Sequence, residues 1–478
     1  MDNQLSIDQL TEIKNYITKN DFINTFCFLY LVGERWFERI FNIVEKIEIV
    51  EIFDNHMNYS LNKNLDYYFK DEKTFFTFLV SFFRIVDDLI IDNENNYFLK
   101  NFNKYFYLDI KIKNNLFNTT CQILPFNGSL IKNNKKLLYI YNKDVFTDIN
   151  RLLSNCIVIN KYKLEYNFTI ENLFDKNKLL FNDLSKKTEL KIVISSIYNE
   201  IDYQFKTFTN ENSIINKEDI NFIFTGIADK SKEIIKTKIV QIIDKCINDC
   251  IDILIFPELT IDSELLDCIR QNLLQKNQKR TIKLIIAGSF HFSIENKYYN
   301  ISRIIDFSGK VILEQYKSQP FKFTSDKIKK IKIEDIRQKF ETIYQNKDFN
   351  EGIGIKREIN LLDSPIGRIG LSICLDFLNK DVRNVFSKTF ANLIFVTAMS
   401  DNVTDFHLRS ETIKEEVNAI VFFCNSCWMR YIFNEQYESF YSLPLKSREE
   451  DRIKKIRCEK YKNNQCDICF HLINLTKE

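Results

Sequence analysis

Glycine and proline are scarce, with 9 and 5 in 478 residues. That excludes a collagen-like or Pro/Gly-rich low-complexity chain, and it makes each glycine the mark of a backbone need. Histidine is scarcer still, with four, so a His-based metal centre is unattractive. No Gly-x-Ser-x-Gly elbow supports a serine hydrolase. The net charge is only +2, which gives no argument for nucleic-acid binding or for a membrane surface. The amino terminus, MDNQLSIDQLTEIKNY, carries charges where a secretion signal would have an apolar run. The most apolar stretch, Thr74 to Ile91, holds Arg84, Asp87 and Asp88, and is too short and too charged to span a bilayer. No internal repeat is evident. The twelve cysteines follow no regular framework, so they read as small buried hydrophobes with one working thiol among them. A soluble, cytoplasmic protein is expected.

What is present is a chain able to bury a core: 45% of residues are hydrophobic and 28% charged, against disorder. Its length implies two or three domains. Residues 1–185 read as one domain of unknown role, helical and then mixed. Ser6 can cap a first helix, and Phe22 to Ile49 has apolar residues at helical spacing. Thr74 to Leu89 reads as a buried helix or a helix–strand pair. Leu137 to Tyr141 and Cys156 to Ile159 read as short strands. From residue 190 to 478, strands and helices alternate, which gives an α/β class. Strands are expected at Leu190–Ile197, Asn221–Ile227, Asp252–Phe256, Lys283–Ser289, Ile301–Asp306, Arg368–Cys374, Asn392–Thr397 and Ala419–Asn425. Several are almost wholly apolar, as strands covered on both faces should be.

Three of these segments deliver a reactive group where a buried strand ends. Pro257 stops a strand and leaves Glu258 at its tip. Val311 to Lys317, after the Gly309 turn, ends on a lysine. Gly370-Leu-Ser-Ile-Cys374-Leu-Asp376 ends on a thiol. Strand ends in open α/β sheets are natural site builders. A thiol attacks best as thiolate, and a nearby ammonium lowers its pKa. A carboxylate can take the thiol proton and hand it to a leaving amine. Taken singly, each residue also has a bland reading as a loop carboxylate, a surface lysine and a core thiol.

The ordered set resembles the nitrilase superfamily of carbon–nitrogen hydrolases. Phe256-Pro257-Glu258, Tyr316-Lys317 and Ile373-Cys374-Leu375-Asp376 carry the resemblance. Ala287-Gly288-Ser289, Tyr299-Asn300, Gly367-Arg368-Ile369-Gly370, and Glu416 with Asn425 support it. The tail, Cys469 to Leu475, is similar to the family's last strand. The resemblance implies a four-layer αββα sandwich over residues 190–478, often paired into a homodimer or higher homo-oligomer. It implies Glu258, Lys317 and Cys374 as the catalytic set, with the Leu375 amide as second oxyanion donor. It implies a thioester intermediate and neither metal nor organic cofactor. The family often has a second glutamate between lysine and cysteine, for which Glu334, Glu341 and Glu351 compete. The long charged stretch from Phe323 to Asn350 reads as a lid or a partner surface. After the cysteine the family's usual segment is replaced by Leu378-Asn379-Lys380-Asp381, Arg383 is displaced by one, and Val417 stands where an Asn is usual.

Other signals are weaker. Cys424/Cys427 and Cys466/Cys469 form two C-x-x-C pairs near Cys458 and His471, but Cys424 lies within an apolar run, which favours core thiols over zinc. Phe83-Arg-Ile-Val-Asp87-Asp88 resembles the Asp-Asp strand–turn of reverse transcriptases, with Cys121 to Ser129 faintly similar to the strand that follows it. That similarity would point to reverse transcriptase–nitrilase proteins of antiviral defence. A polymerase core does not fit ahead of it, so a helix with an acidic end is preferred. The basic clusters at Lys186-Lys187 and Lys327 to Lys332 have acidic neighbours and read as solvated faces. The expected function is a thiol-dependent hydrolase of a small amide, in preference to a nitrile. The alternative is a non-catalytic oligomerisation or sensing module in an antiviral or signalling assembly.

Overall fold

Alternating apolar faces along the strands decide the architecture, seen here in a computed structural model. The structure describes residues 5–19, 21–36, 40, 69–91, 104, 106–125, 153, 156–172, 184, 186–198, 200–208, 220–344, 348–433, 438–443, 453–457 and 469–476. The expected strand at Leu137 to Tyr141 lies outside them. The chain forms two compact units, one within residues 1–165 and one within Tyr166–Glu478.

The first unit holds helices α1 (Ile7–Lys19), α2 (Phe22–Arg35) and α3 (Glu72–Ile91), and a three-stranded sheet of β1 (Asp109–Lys113), β2 (Asn118–Pro125) and β3 (Cys156–Asn160). In α3, Asp71 accepts from the Thr74 N–H at 2.8 Å and starts the helix. Phe75, Phe76, Leu79, Val80, Phe83 and Val86 are buried at helical spacing. The helix runs on through Asp87 and Asp88. This corrects the polymerase resemblance: residues 87 and 88 belong to a helix rather than a strand–turn, and Cys121 to Pro125, the described part of the second segment, belongs to β2, paired with β1 and β3. It also sets aside the helix–strand alternative for Thr74 to Leu89.

The second unit starts its sheets with β4 (Asn167–Asn172), which pairs in parallel with β14 (Glu358–Ser364). Its larger strands form two sheets. One has the order β11-β10-β9-β8-β5-β20, from Val311–Tyr316, Lys297–Asp306, Leu284–Ile294, Ile253–Phe256, Glu189–Ile194 and His471–Thr476. The other has the order β19-β18-β17-β16-β15-β14-β4. Its members besides β14 and β4 are Ile453–Arg457, Glu438–Ser442, Ile420–Asn425, Leu393–Ala398 and Gly367–Ile373. Ile192, Ile194, Ile253 and Ile255 of the first sheet share a core with Ile369, Leu371, Phe395 and Phe422 of the second. The intervening Val193, Leu254 and Ile285 point the other way. They pack on Ile235, Ile239 and Ile269 of helices α4 (Asp229–Asn248) and α5 (Ser263–Lys276). This is the period of two expected of a strand covered on both faces.

Helices also cover the outer face of the second sheet. A Cβ on Gly370 of β15 would lie 2.7 Å from the Phe386 ring of the helix Lys380–Thr389. The Phe406 ring of the helix Thr404–Val417 lies 4.6 Å from that of Phe423 on β17. The unit is therefore an αββα sandwich, as expected. A smaller sheet, β12-β13-β7-β6, is added to it, from Lys322–Phe323, Phe349–Glu351, Ile220–Ile227 and Tyr203–Phe208. Among the described residues no helix is long and apolar enough to cross a membrane.

Candidate active site

Each expected reactive residue stands just past a strand end, and each is tied down locally. After β8, the Pro257 carbonyl accepts from Thr260 Oγ1 at 2.7 Å. The same carbonyl lies so near Gly288 (φ +65°) that any Cβ there would come within 2.1 Å of its oxygen, so only glycine fits. Leu259, also at positive φ, has its carbonyl held by the Tyr203 hydroxyl at 2.9 Å. Glu258 is fixed between these anchors. Lys317 follows β11, and its N–H donates to the Asn300 carbonyl at 2.9 Å.

Cys374 follows β15 and opens a short helix, Leu375–Leu378. Its N–H donates to the Thr397 carbonyl at 2.9 Å. Its φ of 46° and ψ of −115° match the first central residue of a type II′ turn, where glycine is usual. The sharp reversal turns the thiol out of the sheet. Leu375 takes the first helical position, whose N–H has no acceptor within a helix.

Asp376 ties the cysteine turn to the lysine loop. It accepts from Ser318 N–H at 2.9 Å, Ser318 Oγ at 2.9 Å and Gln319 N–H at 2.7 Å. Burial pushes its carboxyl up to about 7, against the pull of those donors.

The charged groups converge. Lys317 Nζ donates to Glu258 Oε1 at 2.8 Å and to Glu351 Oε2 at 2.7 Å. Asn300 Nδ2 bridges the same two carboxylates, at 3.0 Å to each. The Met399 N–H donates to Glu258 Oε2 at 2.9 Å, and the Phe321 N–H to Glu351 Oε2 at 2.8 Å. His291 Nδ1 accepts the Phe224 N–H at 2.8 Å. The ring proton therefore sits on Nε2, which donates to Glu351 Oε1 at 2.8 Å.

Lys317, Glu258, Glu351 and Cys374 are at most 4% exposed. Burial alone would lower the Lys317 pKa, but Glu258 and Glu351 outweigh it and keep the ammonium charged. Burial would likewise raise Glu351, but Lys317 and the His291 hydrogen bond hold it well below the usual carboxylate range.

The thiol departs from the expectation that Lys317 would depress its pKa. Burial pushes Cys374 well above the usual thiol range, Glu258 adds to the rise, and Lys317 only offsets part of it. Burial thus favours the protonated thiol at rest, beside the Glu258 carboxylate. Such a thiol needs its proton taken at the moment of attack.

Of the three competing glutamates, only Glu351 reaches the cluster. Glu334 and Glu341 lie on helix Glu334–Tyr344 and pair there with Arg337, half-exposed. His291 and Met399 were not singled out from sequence, and Asn300 only as part of a motif. The inward alternation of β9 was the one available signal for His291. Asn425, paired with Glu416 in the sequence reading, pins the Met399 turn: it accepts the Ser400 N–H and donates to the Ser400 carbonyl, each at 2.9 Å. Arg383 donates to the Phe377 carbonyl at 3.0 Å, behind the cysteine turn. Cys424 is buried within β17, its thiol directed at the Ile255 carbonyl. Among the described residues no cluster of His, Cys, Asp and Glu could hold a metal.

The cluster opens on a small pocket of about 30 Å³. Glu258, Lys317, Glu351 and Cys374 form one end, and Leu259 with aromatic and thioether side chains forms the rest.

Neither models of protein families nor curated proteins match this chain. Among solved structures, it is similar to Saccharomyces cerevisiae Nit3, a member of branch 10 of the nitrilase superfamily. The match has 12% identity over 61% of this chain and 91% of that one, with a TM-score of 0.38. An amidase from Nesterenkonia sp. matches with 12% identity over 61% of this chain and 92% of its own, at a TM-score of 0.38. Glutamine-dependent NAD+ synthetase from Acinetobacter baumannii matches with 12% identity over 60% of this chain and 46% of its own, at 0.34. Likenesses of this size carry no weight for the chemistry, which rests on the geometry above.

Proposed function

We propose that the second unit hydrolyses a carbon–nitrogen bond of a small amide through a thioester on Cys374. One observation carries this reading. A thiol on a strained strand-to-helix turn lines the same pocket as a carboxylate that is hydrogen-bonded to a buried ammonium. A core cysteine needs neither partner.

The steps follow from the groups in place. Glu258 takes the thiol proton as Sγ bonds to the amide carbon, and the carbonyl becomes an oxyanion. Lys317 has three donors, two of them engaged by carboxylates, so the third can meet the oxyanion beside the Leu375 amide. Glu258 returns its proton to the leaving nitrogen as the carbon–nitrogen bond breaks, releasing ammonia or an amine. Glu258 then takes a proton from water as the water oxygen attacks the thioester. The carbon–sulfur bond breaks, the sulfur recovers the proton, and a carboxylic acid leaves. Glu351, anchored by four donors, keeps Lys317 charged and aimed throughout.

The test is to incubate the full chain with an amide panel and look by mass spectrometry for an acyl adduct on the Cys374 peptide, alongside turnover. The expected outcome is an adduct and released acid with the native chain, and neither with Cys374→Ala. Turnover surviving in Cys374→Ala would sink the reading.

A further inference from the structure

After acylation the amine must leave while the acyl part stays on the sulfur. The pocket beside Cys374 therefore has to hold the acyl part. Among the described residues its only charged side chains are Glu258, Lys317 and Glu351, which already answer one another. Two carboxylates against one ammonium leave the reacting end net negative. The remaining wall includes Phe222, Phe323, Phe340, Trp428 and Met429, and besides the unpartnered Trp428 Nε1–H it offers an ionic group no charged partner.

Two of these residues come from the long segment between Lys317 and Glu351. Phe340 projects from helix Glu334–Tyr344, whose outer face carries the segment's charges. Its ring stacks on Phe205 at 5.5 Å and meets Phe323 at 5.3 Å and Phe349 at 5.5 Å. Held from three sides, Phe340 is a fixed wall of a cavity of about 30 Å³, room for about two water-sized occupants.

We propose that the acyl part of the substrate is short, uncharged and apolar, and that Phe340 sets its length. This rests on the hydrolase reading but can be measured without turnover. Burying an ion with no partner costs several kcal/mol, and each ~1.4 kcal/mol is a factor of ten. Charged acyl groups should therefore be disfavoured by about a hundredfold or more.

The experiment alkylates the full chain with iodoacetamide and, separately, iodoacetate. Modification of the Cys374 peptide is followed by mass spectrometry, and each rate is divided by that of glutathione with the same reagent and pH. The expected result is a normalised preference of about a hundredfold for the neutral reagent. Parity would overturn the proposal. Propionamide and hexanamide are then compared as protectants against iodoacetamide. Propionamide should protect the native chain better, and Phe340→Ala and the milder Phe340→Leu should shift that ratio toward hexanamide by about tenfold. An unchanged ratio in a folded Phe340→Leu chain would overturn the role of Phe340. Selectivity without turnover on any amide would uphold the pocket and remove the hydrolase reading. Turnover without selectivity would do the reverse.

Discussion

The two ends of the pocket are built on opposite principles. At the reacting end, each carboxylate is met by several donors, and Lys317, Asn300, His291 and two backbone N–H groups form one network. At the far end the side chains are apolar and lean on one another through ring contacts. Polar networks in a low dielectric lose heavily when one member is removed. Apolar walls yield by degrees as volume changes. Chemistry should therefore fail abruptly at one end, and selectivity should drift gradually at the other.

The largest effect should come from Cys374→Ala, which removes the attacking atom. Turnover is expected to fall by about a millionfold while the circular dichroism spectrum stays native. Lys317→Met should come next. It leaves two buried carboxylates facing each other, so loss of turnover should accompany a destabilisation of about 3–5 kcal/mol in urea. A variant as stable as the native chain would break the view that the network is held by Lys317.

Glu351→Gln keeps the shape but removes one charge from Lys317. A fall in kcat on the order of a hundredfold, with KM nearly unchanged, is expected if Glu351 only orients the ammonium. A change confined to KM would place it in the binding wall instead. His291→Phe, which removes the donor to Glu351, should cost about tenfold, with less than additive loss when combined with Glu351→Gln. Full additivity would separate the two.

A smaller effect concerns pH. Asp376 titrates at about 7 in the fold against an ordinary 3.8. Between those values the folded state keeps a proton that the unfolded chain has lost, so its stability falls as pH rises through that window. The melting temperature should drop from pH ~4 to ~7, and Asp376→Asn should flatten that drop. An equal slope in the variant would assign the effect to other groups.

The residues that could be read from sequence were those whose signals are local. Glu258 after Pro257, Lys317 ending a strand and Cys374 ending a buried run each sit in contiguous motifs. The α/β class was visible because several strands are apolar on both faces and alternate with helices, whereas the αββα layering came only with the family resemblance. Glu351 could not be singled out. Its strand, Phe349–Glu351, has three residues, and it pairs with Ile220–Ile227, far off in the chain. His291 and Met399 were missed for the same reason, since what they touch is distant in sequence. The thiol's state was misjudged because residue types announce a nearby ammonium, whereas the burial that outweighs it belongs to the folded site. At Asp87-Asp88 the helical apolar spacing outweighed the motif's signature, and the helix preferred there is the one the fold contains.

The turn at Cys374 has a consequence for how this protein trades durability against reactivity. A non-glycine residue at φ 46° and ψ −115° is held there at about 1–3 kcal/mol. Alanine in its place would inherit the strain, whereas glycine would be at ease. Cys374→Gly should then be inert and more heat-resistant than Cys374→Ala. The nucleophile is kept at a position where the backbone alone would favour the one residue with no side chain to react.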